Sequence, residues 1–525
     1  MKKYICIYMA IIVLNACTTD YLDVSPLNEV SDATFWKTEE DAELALAGCY
    51  NMWETWSNII FLDAMSDNAY DQHFAWQLLG NGQFLPSTYF PNWYDSNTAR
   101  WFLYTKIRKY NSFLIKIDGV EMDEDLKEQY KAEVRFLRAY DYFNKAMFYG
   151  DIPLVTKILP PDAIVARTPV AEVNQFILEE LAEISTLLPA QNNIASGGHI
   201  TAGAALALKA RLELYLGMYE EAMEDAQKVI DMDYELYPDY RNLFLPGNGE
   251  NNKEAILQIN YIKNFIPNRF FPQLFMPRTE GGWSTLNGTK SLVDTYEMLS
   301  GKPIDDPTSG YDPDQPFANR DLRLAMTLNY TGQEWNGRYY NALDQFLPDG
   351  SKNPDYHNEG NASRAGMNIK KYIKPISLSD NQLYDVNVQV IRLAEMYLTY
   401  AEAAVELGKN TDYALTLINQ LRDRGGLPPA ANLTQALVRR ERRVELALEG
   451  LRFFDIKRWD IGATALNGPV YGSPLGSLNY NTGEVTWSSE LIKLEDRTFY
   501  PERNYLLPIP LYEIDVSGMT QNPGY

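Results

Sequence analysis

The residues that most often carry covalent or metal chemistry are few and scattered in this sequence. Its 525 residues hold 3 His, at His73, His199 and His357. No two of them stand in the His-x-x-x-His spacing that turns a pair of imidazoles toward one zinc ion, and no Cys pair lies near them to supply thiolates. Gly288-Thr289-Lys290-Ser291 has the Lys-Ser of a phosphate-binding loop but lacks the Gly before Lys, so it is rejected as one. No Gly-x-Ser-x-Gly elbow occurs. Glycoside hydrolysis requires two carboxylates facing each other across a cleft. With 70 Asp plus Glu in the chain, such a pair can arise by chance almost anywhere, and solvated acids are the commoner explanation. Flat aromatic surface, by contrast, is abundant: 36 Tyr, 21 Phe and 10 Trp. Most of these rings must fill a core. Tyr and Trp also suit half-wet surfaces, because each offers an apolar face and a polar tip. The balance of residue types favours a binding surface over a reaction centre.

Charge and the first residues bound the setting of that surface. Formal net charge is −23, which makes the chain a poor partner for nucleic acid or anionic lipid. Lys2 and Lys3 precede an apolar run at 4–14 that is too short to span a bilayer as a helix. Leu14-Asn15-Ala16-Cys17 follows. A basic start, a short apolar stretch and a small residue before the cut describe a secretory signal peptide over 1–16. The Cys directly after it resembles a bacterial lipobox, with Cys17 the lipidated new N-terminus, although Asn15 stands where a small residue is commoner. Losing two lysines and no acid takes the mature chain to about −25. Acyl chains contribute about 0.8 kcal/mol per buried CH₂, so a multiply acylated Cys is a stable anchor. Of the 3 Cys, Cys6 leaves with the signal and Cys17 takes lipid, so Cys49 has no partner for a disulfide within the chain. The core alone must hold the fold, and a chain of this length buries enough surface to do so.

Helical periodicity dominates the elements that must position a site. It predicts helices over 39–53, 100–117 and 124–149, the last stopped by Gly150 with Pro153 following. Helices over 170–188, 201–216 and 219–231 come next. The joint Gly217-Met218-Tyr219-Glu220-Glu221-Ala222 resembles a tetratricopeptide turn, in which Gly ends one helix and a small Ala admits the next. The pattern returns at 390–407 and 413–424, with Gly408 between them. A helix over 434–449 follows, with Thr434 as its N-cap. Arg439, Arg440, Glu441, Arg442, Arg443, Glu445 and Glu449 lie on that last helix at spacings that permit ion pairs, and with Arg452 and Asp455 they are read as a packed charge network rather than an anion site. Three stretches are loop-rich instead: about 66–94, 238–385 and 462–498. The fold class predicted is mainly α: tetratricopeptide-like hairpins form a frame over about 30–235 and 386–460, with irregular insertions and few short strands. No linker divides the chain, so 17–525 is read as one domain. Loops on a stiff helical frame are where binding function tends to sit.

An ordered set of motifs along nearly the whole chain resembles the SusD/RagB family, the surface lipoproteins of Bacteroidota nutrient-uptake systems. Tyr21-Leu22-Asp23 with Pro26 follows the lipid Cys, and Phe35-Trp36 leads into the first helix. Phe136-Leu137-Arg138-Ala139-Tyr140 precedes Tyr149-Gly150-Asp151-Ile152-Pro153-Leu154. Arg392-Leu393-Ala394-Glu395-Met396-Tyr397-Leu398 runs into Ala401-Glu402-Ala403. Asn419-Gln420-Leu421-Arg422-Asp423-Arg424-Gly425-Gly426-Leu427 comes before Glu441-Arg442-Arg443-Val444-Glu445-Leu446 and Glu449-Gly450-Leu451-Arg452-Phe453-Phe454-Asp455. The chain closes on Pro508-Ile509-Pro510 and Gln521-Asn522-Pro523-Gly524-Tyr525.

The resemblance implies a ligand site built where the irregular regions meet on one face. Pyranose rings present apolar C–H faces that stack on flat side chains, while amides and carboxylates reach the hydroxyls. On that basis Trp76, Trp93, Tyr94, Trp283, Trp335, Tyr339 and Tyr340 are the expected stacking platforms, with Asn81, Asn92 and Asn336 as hydrogen-bonding partners. Gly281-Gly282-Trp283 also looks like a family framework feature. Trp36, Trp53, Trp56, Trp101 and Trp459 lie on or beside helices and are assigned to the core. The resemblance further implies an outer-membrane lipoprotein, exposed at the cell surface, that takes an oligosaccharide without catalysis and hands it to a SusC-like TonB-dependent transporter. A RagB-like peptide binder and a helical glycosidase are the alternatives. No cofactor and no metal site are expected, with a structural calcium ion among the acidic loops left open.

Overall fold

The computed structural model describes residues 35–525, apart from 74–75, 88–98, 161, 191–197, 248–251, 377–379 and 381–382. The expected signal segment, Cys17, Asn92, Trp93 and Tyr94 therefore lie outside the described residues.

Helices form where the apolar period and the caps agree. Helix α1 (Glu39–Tyr50) opens on a capping box: Thr38 accepts from the Asp41 amide and Asp41 from the Thr38 amide. Helix α2 is Thr105–Lys116. Helix α3 (Glu124–Tyr149) starts at the Asp123 cap and stops at Gly150, whose φ of 72° suits glycine. It is the central helix, and its buried residues run almost unbroken from Tyr130 to Tyr149. Against it pack α4 (Val170–Ile184) and, less extensively, α5 (Ala202–Tyr215), and α6 (Tyr219–Ile230) packs in turn on α5. Helix α6 touches both α5 and the later α8 (Leu393–Leu407), so the two tetratricopeptide-like hairpins join into one frame. Helices α9 (Thr411–Arg424) and α10 (Gln435–Glu445) complete it, the latter capped by Thr434 as expected. The protein is mainly helical.

The helix expected over 100–117 is broken after Phe102, those expected over 39–53 and 434–449 end early at Tyr50 and Glu445, and two further stretches differ in kind. The helix expected from 390 begins at Leu393, because Val388–Arg392 is a strand, β8, buried along its whole length and paired antiparallel with β2 (Ala255–Ile259). The β-branched residues Val388, Val390 and Ile391 favour that extended form. The expected loop at 462–498 is largely a long antiparallel hairpin, β9 (Gly468–Leu478) with β10 (Val485–Arg497). Gly472, Pro474 and Gly476 break its sequence alternation, and its register shifts repeatedly.

The middle insertion is tied together by a sheet of four short strands, in the order β1 (Ala69–Asp71), β3 (Leu286–Gly288), β7 (Met367–Ile369) and β4 (Leu328–Tyr330). All its pairings are antiparallel. This sheet brings Ala69–Asp71, from the first loop-rich stretch, against strands of the middle insertion.

The charges of α10 form a packed network, as expected, and their partners lie on other elements. Arg392 lies at 1% exposure and donates to Glu254, Glu445 and Glu449, each at 2.7 Å. Arg424 donates to Glu254 at 2.5 Å and Glu445 at 2.6 Å. Arg323, from the insertion, reaches Glu441 and Glu445, and Lys371 reaches Glu449 at 2.7 Å. Burial raises the Glu445 carboxyl, but Arg424, Arg392 and Arg323 outweigh it and hold that carboxyl well below the usual carboxylate range. Arg442 pairs with Asp455 at 2.9 Å, and Arg452 with Asp67 at 2.8 Å. The network bolts insertion to frame.

Among the expected core tryptophans, Trp53, Trp56 and Trp101 are buried. Trp36 is half-buried, as is Trp459, which lies 4.7 Å from both the Arg439 and the Arg458 guanidinium. Cys49 is buried and free, its thiol pushed up to about 12 by desolvation. No helix among the described residues is long and apolar enough to cross a membrane.

Candidate functional site

The edge of the β1–β3 ladder builds a polar and aromatic face. At the end of β1, the buried Asp71 carboxylate accepts from the His73 amide at 3.0 Å and from the Trp76 amide at 2.9 Å, which turns the chain outward. Gln72 continues the ladder, its amide donating to the Thr285 carbonyl at 3.0 Å. Its side chain joins three segments. Nε2 donates to the carbonyls of Trp283 at 3.2 Å and Ala362 at 3.0 Å, and Oε1 accepts from the Arg364 amide at 2.9 Å.

His73 is exposed, and its Nε2 lies 3.0 Å from the Trp283 carbonyl oxygen. Donation to that carbonyl places the proton on Nε2. Partial desolvation by the neighbouring loops pulls its pKa below the ordinary 6.5, which favours the neutral ring. His357, half-buried, is lowered in the same way, first by desolvation and then by the nearby Arg364 charge.

Trp283 itself is half-buried. Gly281 takes a left-handed φ of 79°, and a Cβ on Gly282 would stand 1.9 Å from the Met276 carbonyl oxygen. Only glycine at 282 lets the loop close this tightly, and the closure is locked by the Trp283 amide donating to the Gln273 carbonyl at 2.7 Å. The same loop supplies Glu280. Its carboxylate accepts from Trp335 Nε1 at 2.9 Å and from Asn336 Nδ2 at 3.0 Å. Those residues belong to the hairpin β5 (Glu334–Trp335) and β6 (Arg338–Tyr339), whose Asn336-Gly337 turn has positive φ at both positions. Arg338 sits 3.5 Å from Glu280 and 3.9 Å from Asp355. Arg278, at the start of the loop, is 3.8 Å from Glu359. The 278–283 loop is thus a spine, with His73, Gln72 and Arg364 on one side and the Asn336 turn on the other. Indole, imidazole, guanidinium and amide groups in this arrangement can cover a flat apolar face and bond to hydroxyls around its rim.

Several expected platforms are corrected by burial. Trp76 is 3% exposed, stacked on Phe61 at 5.9 Å and edge-on to Trp101 at 5.6 Å, so it is core. Trp335 at 3% and Tyr340 at 1% also lie inside, and Asn81 at 4% is buried with its Oδ1 accepting the Gln83 amide. Trp335 turns in toward Glu280 of the same insertion, which takes its indole N–H. Tyr339 is half-buried against the β9–β10 turn, where a Cβ on Gly483 would come within 2.4 Å of its ring. Trp283 and Asn336 keep access to solvent. Sequence reasoning missed Gln72, His73, Glu280, Arg338 and Arg364. The one signal for them was the polar run Asp71-Gln72-His73 at the mouth of an irregular stretch. Among the described residues no group of three or more His, Cys, Asp or Glu is placed to hold a metal ion.

Hairpins of tetratricopeptide type carrying a loop-built face define the class: a helical-repeat scaffold with its site on inserted loops. Comparison with known proteins gives the family. Residues 244–525 match the SusD family model, and residues 20–216 match a model described as starch-binding and associating with the outer membrane. The chain belongs to the SusD family. A SusD-like protein of Formosa agariphila is 28% identical over 88% of this chain and 91% of its own length. The starch-binding protein SusD of Bacteroides thetaiotaomicron is 27% identical over 78% of this chain and 81% of its own. Among solved structures, a SusD-like carbohydrate binding protein from Bacteroides fragilis superposes with a TM-score of 0.81 at 29% identity, covering 92% of this chain and 99% of that one.

Proposed function

We propose that this protein is a cell-surface lipoprotein, anchored through Cys17, that captures an oligosaccharide reversibly at the face around Trp283. It then delivers the sugar to a SusC-like TonB-dependent transporter, with no bond made or broken. The observation that carries the reading is the half-buried Trp283 side chain at the end of the 278–283 loop, beside His73, which bonds to the Trp283 carbonyl. It is one flat apolar surface with donors and acceptors of several kinds at its edge. Relatives named for starch and carbohydrate binding support a glycan as the ligand. Binding alone serves uptake, because it raises the local concentration of sugar over the partner's pore. Asn336 and Tyr339, together with Asn92, Trp93 and Tyr94, remain proposed contributors to the same face.

Affinity electrophoresis against soluble starch, laminarin, xylan, galactomannan and polygalacturonate tests this. Retardation by one polysaccharide is expected, with no product released on long incubation. Trp283→Ala and His73→Ala should each weaken binding of a short oligosaccharide of that glycan about tenfold, a loss of about 1.4 kcal/mol. Release of shortened sugars would replace the binding account with a hydrolytic one. Retardation by none of the five, with binding of peptides instead, would move the ligand to the RagB-like class.

A further inference from the structure

A second cleft lies at the other end of the β1–β3 ladder, away from Trp283. It runs between helix α7 (Lys290–Thr295) and the β9–β10 hairpin, and its main cavity of about 490 Å³ is lined by Asp67, Thr295, Asn467 and Tyr471 among others. A further 250 Å³ cavity, lined by Tyr311, Phe317 and Ser488, shares Lys290 and Asp294 with the first. Together they have the size of an ordinary small-ligand site. We propose that this cleft is a second carbohydrate-binding site, taking a neutral, hydroxyl-rich stretch of the same glycan chain. This rests on the glycan reading of the Trp283 face.

The chemistry of the lining selects the ligand class. Tyr471, Tyr311 and Phe317 are half-buried rings. Two of them are held from behind. The Arg320 guanidinium lies 5.5 Å from the Tyr311 centroid, and Phe317 stacks on Tyr330 at 4.1 Å and leans on Trp487 at 5.1 Å. Rings so fixed lose little freedom when a ligand stacks on them. Where the two cavities meet, Lys290 and Asp294 form an ion pair with side-chain exposures of 28% and 36%. The ammonium and the carboxylate each retain unused donors or acceptors, which is what vicinal hydroxyls require. The deeper cations are committed. Arg443 pairs with Asp67 at 3.0 Å and donates to Ser291 at 2.9 Å, while Arg497 pairs with Glu495 at 2.7 Å and donates to the Ser66 carbonyl at 2.5 Å. Among the described residues lining the main cavity, each Lys and Arg is already paired, which disfavours an anionic ligand, and the hydroxyl and amide groups there favour a hydroxylated one.

Position gives the cleft its use. The ladder pairs Ala69 with Gly288 and Asp71 with Leu286. Asp67 and Lys290 lie just beyond its first end, and His73 and Trp283 just beyond its second. Six residue steps, through the strand Ala69–Asp71, separate Asp67 from His73, a span of at most about 20 Å. One polysaccharide can therefore touch both sites, and the second contact becomes intramolecular, which multiplies affinity for long chains without changing affinity for short ones.

The test uses the full mature chain and the polysaccharide from the five-member panel that the wild type retards, together with its trisaccharide. Tyr471→Ala and Asp294→Asn should each weaken binding of the polymer about tenfold while leaving the trisaccharide unchanged. Tyr471→Phe should restore wild-type affinity, which a merely unfolded variant could not do. Tyr471→Ala and Asp294→Asn binding the polymer as tightly as wild type would overturn the second site while leaving the Trp283 face intact. Loss at Tyr471→Ala with no loss at Trp283→Ala would uphold the cleft and remove the first assignment. A wild type retarded by no member of the panel would overturn both.

Discussion

Trp283 and Trp335 show how little a residue's type reveals about its access to solvent. Both stand in the same loop-rich insertion, and both read as stacking platforms. Trp335 points inward and spends its indole N–H on Glu280, whereas Trp283 is held at the surface by a glycine that no other residue can replace. What separates them is which wall each loop closes against, a long-range contact that a one-dimensional pattern does not contain. Trp76 fails as a platform for the same reason, its ring being stacked on Phe61 from a different element. At this scale His199 also makes a prediction. Its Nδ1 lies 2.7 Å from Glu133, which also accepts from the Tyr50 hydroxyl at 2.6 Å. The hydrogen bond to Glu133 raises the His199 pKa above 6.5. The stabilisation is therefore fully present below the unfolded value and is lost as pH rises through the folded one. His199→Gln should lower the melting temperature at about pH 6 and change it little at about pH 9. The ring is a third exposed, so the difference should stay under about 1 kcal/mol. A uniform effect across that range would contradict the pairing.

The elements were far more legible than the residues within them. Helix α3 follows its sequence signals at both ends because a capping Asp and a left-handed Gly fix its limits locally. The tetratricopeptide-like turns were readable at Gly217 and Gly408 for the same reason, each taking a positive φ. Strand β8 and the β9–β10 hairpin were missed, since a short apolar run looks alike in helix and strand, and glycines and prolines hide alternation. The charges of α10 were legible as a packed network but not by partner, because the partners lie on β8 and α9 and in the middle insertion. Arg392 is the joint of that network. Arg392→Ala would leave Glu254, Glu445 and Glu449 buried without their shared cation, and removing one partner of a buried pair typically costs about 3–5 kcal/mol. Urea unfolding of that variant should show a loss of this size, and a midpoint shift worth under about 1 kcal/mol would show that the network is solvated.

At the scale of the whole molecule, sequence and structure agree on architecture: a stiff helical frame, insertions bolted to it by buried charge, and a face assembled where two distant insertions share one small sheet. A frame of this kind does not need to move for a ligand to stack on Trp283, as reversible capture requires. The measurement that bears most directly on this account is a crystal structure of the protein with an oligosaccharide of the retarding glycan. The account predicts a pyranose ring lying flat on Trp283, with its hydroxyls reaching His73 or Arg364 and every glycosidic bond intact. A sugar bound elsewhere on the molecule, with the Trp283 ring bare, would contradict it.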